Sequence, residues 1–446
     1  MTATLAGRPP ASLPEPPAGP GRRGRRATTT PATMRVLMAV LVLLSLAWGA
    51  FGGWAASQHS SAAGALISVD EPLSLNASQM YEKIADADVT ITTAYLASSQ
   101  PSLAPLQRYQ SDIATASADL ARLRAGSGDP SLDAALAALA GGLPAYTGYV
   151  ADAQSQYSLG FPLTGGSFMQ VASEQAHLVL LPAAKTVFTK ENAALAAASS
   201  QATGLPTMAA ALVLAIVTGY ILFRAQRWLT RRTNRVLSPG LVLASILLVV
   251  SVVWLAASYA SARSDLDRGI ADGSGPAETL AQASIGVQQI RGDAVLNVIS
   301  RSGNASFQDD FVATSRLVGP GSGSLLSDAA TGGGQAAALV SAAEREASAW
   351  YAANAEVYHL GSAAVSDYAG ERAKVIGTGP GSSAAGYAAL ESDITGAIAD
   401  DQATFKSAAT SGANTLDPLE PVVIVVSLLM ALGCVWGLNR RLAEYR

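Results

Sequence analysis

The sequence contains little cysteine, histidine or charge. Its single cysteine, Cys434, lies inside an apolar run, so we expect no disulfide and no thiolate metal site in the rest of the chain. The three histidines, His59, His177 and His359, are far apart and lack the spacing of metal ligands, which favours surface or core positions for them. Charged residues make up 14% of the chain and apolar residues 50%. The distribution of the apolar residues is therefore the first guide to the fold.

Four stretches contain no charged residue and no histidine: residues 36–56, 205–223, 241–260 and 422–438. A helix needs about 20 apolar residues to cross a hydrocarbon layer about 30 Å thick, and each stretch is long enough or nearly so. They predict four transmembrane helices, at residues 34–56, 205–223, 239–260 and 420–438. The first stretch follows basic residues and ends in small ones, so a cleaved signal peptide remains an alternative for it.

Basic residues are concentrated beside these stretches. Residues 1–35, 224–238 and 439–446 hold 14 of the 29 basic residues and two of the 33 acidic ones. Short Arg-rich flanks stay in the cytoplasm, so we predict a multi-pass protein of the cell membrane with both termini and the loop 224–238 cytoplasmic. The long segments 57–204 and 261–419 are then extracytoplasmic.

The two long segments are rich in Ala, which favours helix. One apolar face is visible in the first segment, at the helical spacing of Met80, Ile84, Ala87, Ile91 and Tyr95. Gly- and Pro-rich breaks divide each segment into helices, at residues 99–101, 126–130 and 160–166 in the first and at 301–304, 319–334 and 377–383 in the second. This pattern predicts two helical bundles in tandem on an all-α membrane protein. Pro72 and the stretch 273–276 predict bends where each bundle begins. Residues 1–33 are expected to form a disordered cytoplasmic tail, and residues 439–446 a short one.

The two halves of the chain have the same order of elements, which indicates a tandem duplication. Each half reads as an apolar span, a long segment, a second span and a short Arg-rich segment. The spans contain no ionisable residue of the kind that ion or proton transport requires. They contain small residues four apart, as in Gly49 and Gly53, which allow close packing within the chain or in a homodimer.

The sequence contains no constellation of catalytic residues, no phosphate-binding loop and no metal-ligand spacing. We therefore expect a protein that is not an enzyme and uses no cofactor or metal. Asp88 lies near the edge of the apolar face together with Thr92, and these two residues are our candidates for contact with a ligand or partner. The alternative for Asp88 is a partly exposed helix acid. Asp86 lies opposite the apolar face and is predicted to be exposed.

The cytoplasmic segments are too short to hold a kinase, cyclase or methyl-accepting region, so a signal would pass to a separate protein. The arginines there are candidates for a docking surface: Arg224, Arg227, Arg231, Arg232, Arg235, Arg440 and Arg441. Their alternative role is topology and contact with membrane lipids. We expect lipids and no nucleic acid among the partners.

The layout, together with residues 80–96 (MYEKIADADVTITTAYL), resembles the GlnX-type membrane proteins of actinobacteria. The order of elements is similar over most of the chain, and the amino-acid sequence is similar over about 17 residues. It implies a relay in which an amino-acid-binding lipoprotein outside the cell acts through the membrane protein on the cytoplasmic Ser/Thr protein kinase G. Two other classes remain open: a chemoreceptor-like sensor that binds a small molecule directly, and a structural protein of the cell envelope.

Overall fold

The computed structural model describes residues 30–202, 204–233, 238–300, 305–330, 334–362, 367–377 and 379–443. Within these residues every regular element is a helix, and no strand occurs. The prediction of an all-α membrane protein is confirmed. The predicted tail 1–33 lies almost entirely outside the described residues. Seven helices precede the middle of the chain: α1 (Thr30–Ala65), α2 (Glu71–Ala97), α3 (Leu103–Gly126), α4 (Asp133–Ser158), α5 (Pro162–Gln175), α6 (Leu181–Ala202) and α7 (Leu205–Thr233).

Eight helices follow in the second half of the described chain. They are α8 (Pro239–Gly269), α9 (Gly275–Ser300), α10 (Ala305–Val318), α11 (Leu325–Ala329), α12 (Gly334–Ser362), α13 (Tyr368–Ile376), α14 (Ser383–Leu416) and α15 (Leu419–Ala443). The predicted breaks at residues 99–101 and 126–130 separate α2 from α3 and α3 from α4. The break predicted at 160–166 is shorter, because α5 already begins at Pro162.

Three wide turns of π-helix join consecutive helices without a break: Leu66–Asp70, Ala176–Leu180 and Ile270–Ser274. Each ends two residues before a proline, at positions 72, 182 and 276. A proline removes the hydrogen bond to the carbonyl four residues earlier and its ring clashes with that carbonyl. In all three cases this carbonyl belongs to the middle residue of the wide turn, so the π-helical geometry accommodates the ring. The bends predicted at 72 and 273–276 are thus wide turns inside continuous helices.

Helices α1, α7, α8 and α15 form one group, here called the span bundle, around buried residues such as Trp48, Leu222 and Met430. Its helices approach closely at small residues. A Cβ added at Gly52 would lie 2.8 Å from Val423, and one at Gly240 would lie 2.7 Å from the Cα of Gly437. The small residues therefore allow close helix packing within the chain, which is one of the two predicted alternatives; the other was packing in a homodimer.

Among the residues that the structure describes, five helical stretches are long and apolar enough to cross a membrane, judged by length and composition. Three contain the spans predicted at 34–56, 239–260 and 420–438, and a fourth, Ala209–Arg231, overlaps most of the span predicted at 205–223. The fifth is Pro130–Ser158, with a mean hydropathy of 1.2 against 1.7 to 2.6 for the others. The fifth stretch contains α4, whose Leu139, Tyr146 and Val150 belong to the core of the first helical bundle. A count of four spans remains a prediction.

Two helical units stand beyond the span bundle. The first head, residues 66–202, is built by α2 to α6 around a core that includes Met80, Tyr146 and Phe188. Tyr146 and Tyr157 belong to this core, and Tyr149 packs against it. The second head, residues 270–416, has its own core around Trp350 and contains two helices that the Gly and Pro pattern does not predict, α11 and α13.

The two heads meet side by side along α2 and α9. Ala281 and Ile285 of α9 belong to the core of the first head, and Leu96 of α2 packs with Val295 and Val298 of α9 in a cluster of its own. Both central helices are therefore covered on more than one side. This packing positions the polar groups described next.

Candidate sensing site

Asp88 is buried at the junction of the two heads. Its side chain is 1% exposed, and its Oδ2 accepts a hydrogen bond from Ser173 Oγ at 2.6 Å. The same oxygen lies 3.5 Å from Nε2 of His177. Asp88 thus contacts neighbouring helical segments of its own chain, and the alternative of a partly exposed helix acid is wrong. A burial of this kind requires that the carboxylate be hydrogen-bonded.

Thr92, the second candidate, is also buried and lies one turn after Asp88. Its hydroxyl donates to the backbone carbonyl of Asp88 at 2.6 Å. The hydroxyl therefore satisfies its hydrogen bond within α2, as buried threonines in helices commonly do. The structure places both candidate residues beside each other inside the protein.

The prediction that Asp86 is exposed is wrong. Asp86 is 2% exposed, and both of its carboxylate oxygens accept from Arg108 of α3, at 2.9 Å from Nη2 and 3.1 Å from Nε. Arg108 also bonds Glu391 of α14 at 3.2 Å. Asp86 lies opposite the apolar face of α2, but α3 and the second head cover that side. The residue therefore belongs to an ion-pair network that joins the two heads.

His177 lies between acids of both heads. Its Nδ1 is 3.9 Å from Oδ1 of Asp293 in α9, on the side away from Asp88. Burial disfavours the imidazolium, but the carboxylates of Asp88 and Asp293 outweigh it and raise the pKa of His177. Burial raises the pKa of Asp293 to about 7, while His177 lowers it in part. The described residues therefore contain a buried cluster in which the pKa of His177 and the pKa of Asp293 are both raised.

A second acid pair lies on the outer side of α2. Burial raises the pKa of Asp112 to about 7, and the nearby carboxylate of Asp86 adds to the effect. Lys83 lies 3.7 Å from Asp112, and its positive charge opposes the shift. The contact region of the heads thus holds several carboxyl groups whose ionisation depends on their partners.

A cavity of about 370 Å³ lies where the heads meet the span bundle. This junction cavity is lined by residues of α2, α6, α9 and α14 together with the wide turn at Ile270–Ser274. Its size falls at the lower end of the range typical of small-molecule sites. Three charged side chains face it, from Glu71, Glu278 and Lys406, among apolar walls that include Phe188 and Phe405.

Glu71 follows the wide turn Leu66–Asp70 directly. Burial raises its pKa, and Lys406 across the cavity lowers it in part. The junction cavity therefore combines an apolar interior with groups of both charge signs. A ligand with an apolar body and a polar end suits such a lining. Every helix that lines it leads towards the span bundle directly or through one wide turn or short connection.

The candidate docking arginines lie at one end of the span bundle. Arg224, Arg227 and Arg231 are exposed on the last turns of α7, and Arg440 is exposed on the last turns of α15. These turns lie at the same end because Gly433 and Gly437 of α15 contact Gly240 at the start of α8. Arg232 and Arg441 are in the same helices, but their side chains are outside the described part, and Arg235 lies outside the described residues.

Sequence reasoning missed Arg108, Asp293 and the role of His177. For Asp293 the available signal is a charged residue within the mostly apolar helix α9, which also holds Arg291, whereas Arg108 in the polar helix α3 and His177 in a wide turn carry no such signal. Charged residues are rarely buried unless they are paired, and the pairing partners come from other helices. A search for charges inside apolar stretches would have marked α9 as a central helix.

The comparisons with known proteins support a sensing role. Residues 62–200 match a family model described as an actinobacterial sensor domain. The matched stretch contains the first head with its two wide turns, Leu66–Asp70 and Ala176–Leu180, and also Asp88 and His177. A comparison with curated proteins and one with solved structures gave no significant match. The first head of this membrane protein is therefore similar to an actinobacterial sensor domain.

Proposed function

We propose that this chain is a non-enzymatic, multi-pass transmembrane relay that carries an extracellular amino-acid signal to a cytoplasmic Ser/Thr kinase. The signal arrives through a solute-binding lipoprotein that docks on the heads. The observation that carries the proposal is helical continuity. Helix runs without a break from Thr30 to Ala97 and from Pro239 to Ser300, each time from the span bundle into a head. A displacement in the heads is thereby transmitted along helices of the span bundle.

The contact between the heads supports this proposal. α2 and α9 are the extensions of α1 and α8 and pack against each other. Any partner that changes the angle between the heads changes the relation of these two helices. The junction cavity lies beside both of them and leaves room for such movement. A packed interface with two arrangements is what a signalling equilibrium needs.

The arginine-rich end of the span bundle supports the output side. Exposed guanidinium groups on α7 and α15 form a basic surface that suits an acidic face of a cytoplasmic partner. The competing role of these arginines is topology and lipid contact, and the two roles predict different results.

The test uses the double substitution Arg227→Gln and Arg231→Gln in the full chain. Arg224, Arg232 and Arg235 remain to hold the orientation, so the protein should still insert correctly. We expect weaker kinase recruitment and a smaller change in phosphorylation of its substrates when amino acid is added outside. Arg124→Gln and Arg345→Gln, both at exposed positions of the heads, serve as the matched control. An unchanged response in the correctly inserted double variant would assign these arginines to topology.

A second candidate function is direct sensing, and the junction cavity favours it. A small molecule that binds the heads directly must raise their melting temperature in the purified protein, because it binds the folded state alone. A relay protein should instead retain a binding lipoprotein during purification and show no such shift with the amino acid alone. A purely structural envelope protein should show neither result.

A further inference from the structure

A second cavity, of about 470 Å³, opens between the two heads on the side of Arg108. The residues that line this inter-head cavity come from α2, α3, α9, α13 and α14. Its walls are mainly alanine, valine, proline and isoleucine side chains, with two threonines of α2, Thr90 and Thr93. The hydroxyl of Thr93 is buried and has no hydrogen-bond partner among the described residues. The cavity is thus mostly apolar with a few polar groups.

Arg291 is the unusual residue of this cavity. It is 2% exposed, and within the described residues no carboxylate oxygen lies within ion-pair distance of its guanidinium. The internal residues outside the described part contain no Asp or Glu. Within the described part of the chain Arg291 makes one side-chain hydrogen bond, from Nη1 to Ser383 Oγ at 3.1 Å, which engages one of its five N–H donors. The guanidinium carbon also lies 5.8 Å from the centre of the Tyr387 ring.

A buried guanidinium with so few partners is costly, because buried charges are normally paired. Burial lowers the pKa of Arg291 to about 10, and the group is still a cation at neutral pH. The other charges that face the cavity are Asp86 and Arg108, which neutralise each other through two hydrogen-bonded oxygens. Glu391 also bonds Arg108, so this side of the cavity has more carboxylates than cations, but none of these carboxylates forms an ion pair with Arg291.

The start of α14 adds a second positive contribution. Ala384, the second residue of this 34-residue helix, lines the cavity next to Ser383. The first backbone N–H groups of a helix carry partial positive charge and favour anions. The guanidinium of Arg291 and the first turn of α14 lie at the same wall. Both favour a negatively charged group at that position.

We propose that the inter-head cavity binds a small organic carboxylate, whose carboxylate group pairs with Arg291 and whose apolar part fills the alanine- and valine-rich wall. Planar guanidinium groups bind carboxylates through two parallel hydrogen bonds. The unpaired hydroxyl of Thr93 offers a further donor to the ligand. The proposal does not depend on the relay, because a carboxylate can bind here whichever protein delivers or receives the signal.

Trp350 provides a direct readout. Its Nε1 donates to Ser383 Oγ at 3.1 Å, the same atom that accepts from Arg291. The other five tryptophans lie in helices of the span bundle. A carboxylate that draws the guanidinium towards the cavity changes the surroundings of Trp350 and hence its fluorescence.

The experiment titrates the full chain in lipid nanodiscs with acetate, isobutyrate and benzoate at constant ionic strength and pH 7. The neutral controls are the corresponding amides, acetamide, isobutyramide and benzamide. We expect a saturable change in fluorescence with at least one acid and none with its amide. Arg291→Gln should weaken the binding at least tenfold, and Arg291→Lys, which keeps the charge, should weaken it less. Arg345→Gln, at an exposed position of α12, should leave it unchanged.

Three results would overturn the proposal: no saturable response with any of the acids, an equal response with an amide, or unchanged binding in Arg291→Gln. Sodium chloride that gives the same change at the same concentration would also overturn it. If Arg291→Gln fails to fold, the comparison of acids with amides on the unsubstituted chain and the intermediate affinity of Arg291→Lys still decide the question. None of these results bears on kinase recruitment, so the relay is tested separately.

Discussion

Individual acids of α2 show how burial departs from a single-helix prediction. The spacing of apolar residues correctly marks Met80, Ile84 and Ile91 as core positions. It fails for Asp86, because the side of α2 opposite the apolar face is covered by α3 and by the second head. The angular position of a residue on one helix says nothing about how many neighbours that helix has. Contacts of this kind depend on pairings far apart in sequence.

The Asp86–Arg108 pair provides a prediction at this scale. Arg108→Met should destabilise the protein by about 2 kcal/mol, because a carboxylate that is 2% exposed loses a charged hydrogen-bond donor. The double variant Asp86→Asn, Arg108→Met should recover much of this loss, since the uncompensated charge is gone. Melting temperatures of the purified protein in detergent measure both effects.

Arg345→Met provides the control for that series, because Arg345 is exposed and its loss should change the melting temperature little. A single variant Arg108→Met as stable as the unsubstituted protein would mean that Asp86 needs no guanidinium.

The cluster of His177 and Asp293 predicts a dependence of stability on pH. Asp293 has an ordinary pKa of 3.8 and a pKa of about 7 in the folded protein, so between these values the folded state binds an additional proton. Its raised pKa therefore makes the protein less stable as the pH rises from about 4 to 7. His177, whose pKa is also raised, stabilises the fold below its ordinary pKa of 6.5, and this contribution is lost as the pH rises through its folded value.

We therefore expect the melting temperature to fall between pH 5 and pH 8 and to fall less steeply in Asp293→Asn. At pH 8 the variant should be the more stable protein by at least about 1 kcal/mol, since one unit of pKa shift corresponds to about 1.4 kcal/mol. Asp309→Asn, at an exposed position of α10, should keep the original pH profile. If the melting temperature changed with pH equally in Asp293→Asn and in the unsubstituted chain, Asp293 would not be the cause of the pH dependence.

At the scale of elements, the prolines predict where the helices are disturbed but do not predict that the disturbance is a wide turn. The sequence indicates a disturbance at Pro72 and at residues 273–276, and the structure has one at each place. The form of the disturbance does not follow from the sequence, because a proline permits a kink, a break or a wide turn. The third case, before Pro182, had no such signal beyond the proline itself.

Amide hydrogen exchange tests the role of the prolines. In Pro72→Ala the new N–H can bond the carbonyl of residue 68, so the amides of Leu66–Asp70 should exchange several-fold more slowly than in the unsubstituted protein. Pro105→Ala is the matched control. Pro105 is the third residue of α3, where the N–H has no partner within the helix in any case, so exchange there should not change. Equal exchange before and after Pro72→Ala would assign the wide turn to tertiary packing alone.

The close packing of α8 on α15 predicts a difference between two glycines of the span bundle. A Cβ at Gly240 would lie 2.7 Å from the Cα of Gly437, whereas one at Gly219 would lie 3.6 Å from Leu248, which is an ordinary contact. Gly240→Ala should therefore cost about 1–3 kcal/mol and lower the melting temperature, while Gly219→Ala should have little effect. Similar melting temperatures for the two variants would show that α8 and α15 can separate without loss.

At the scale of the whole molecule, composition and charge predict the helical class and the placement of apolar stretches. They do not predict that the two heads share a polar interface, because Asp88, His177 and Asp293 lie on three segments whose proximity depends on the complete fold. Residues 80–96, which carry the resemblance, do contain Asp86 and Asp88 of this interface. The resemblance does not indicate Arg291, which lies in the other half.

The orientation in the membrane is still a prediction, and cysteine labelling tests it. Gly128→Cys and Pro380→Cys lie at exposed positions of the two heads and should react with an impermeant thiol reagent on intact cells that lack a cell wall. Asn439→Cys, exposed near the end of α15, should react only after permeabilisation. The native Cys434 is buried and gives little background. Labelling of residue 439 in sealed cells would invert the topology.

The junction and inter-head cavities have a consequence for stoichiometry. Each is formed by residues from both halves of the chain, so each occurs once per polypeptide. A pocket inside each helical bundle would instead be expected twice after a tandem duplication. Because the halves are fused, the two sides of a shared cavity are free to differ, as Asp86 on one side and Arg291 on the other do. A ligand held there needs no twofold symmetry, and saturation corresponds to one molecule for each chain.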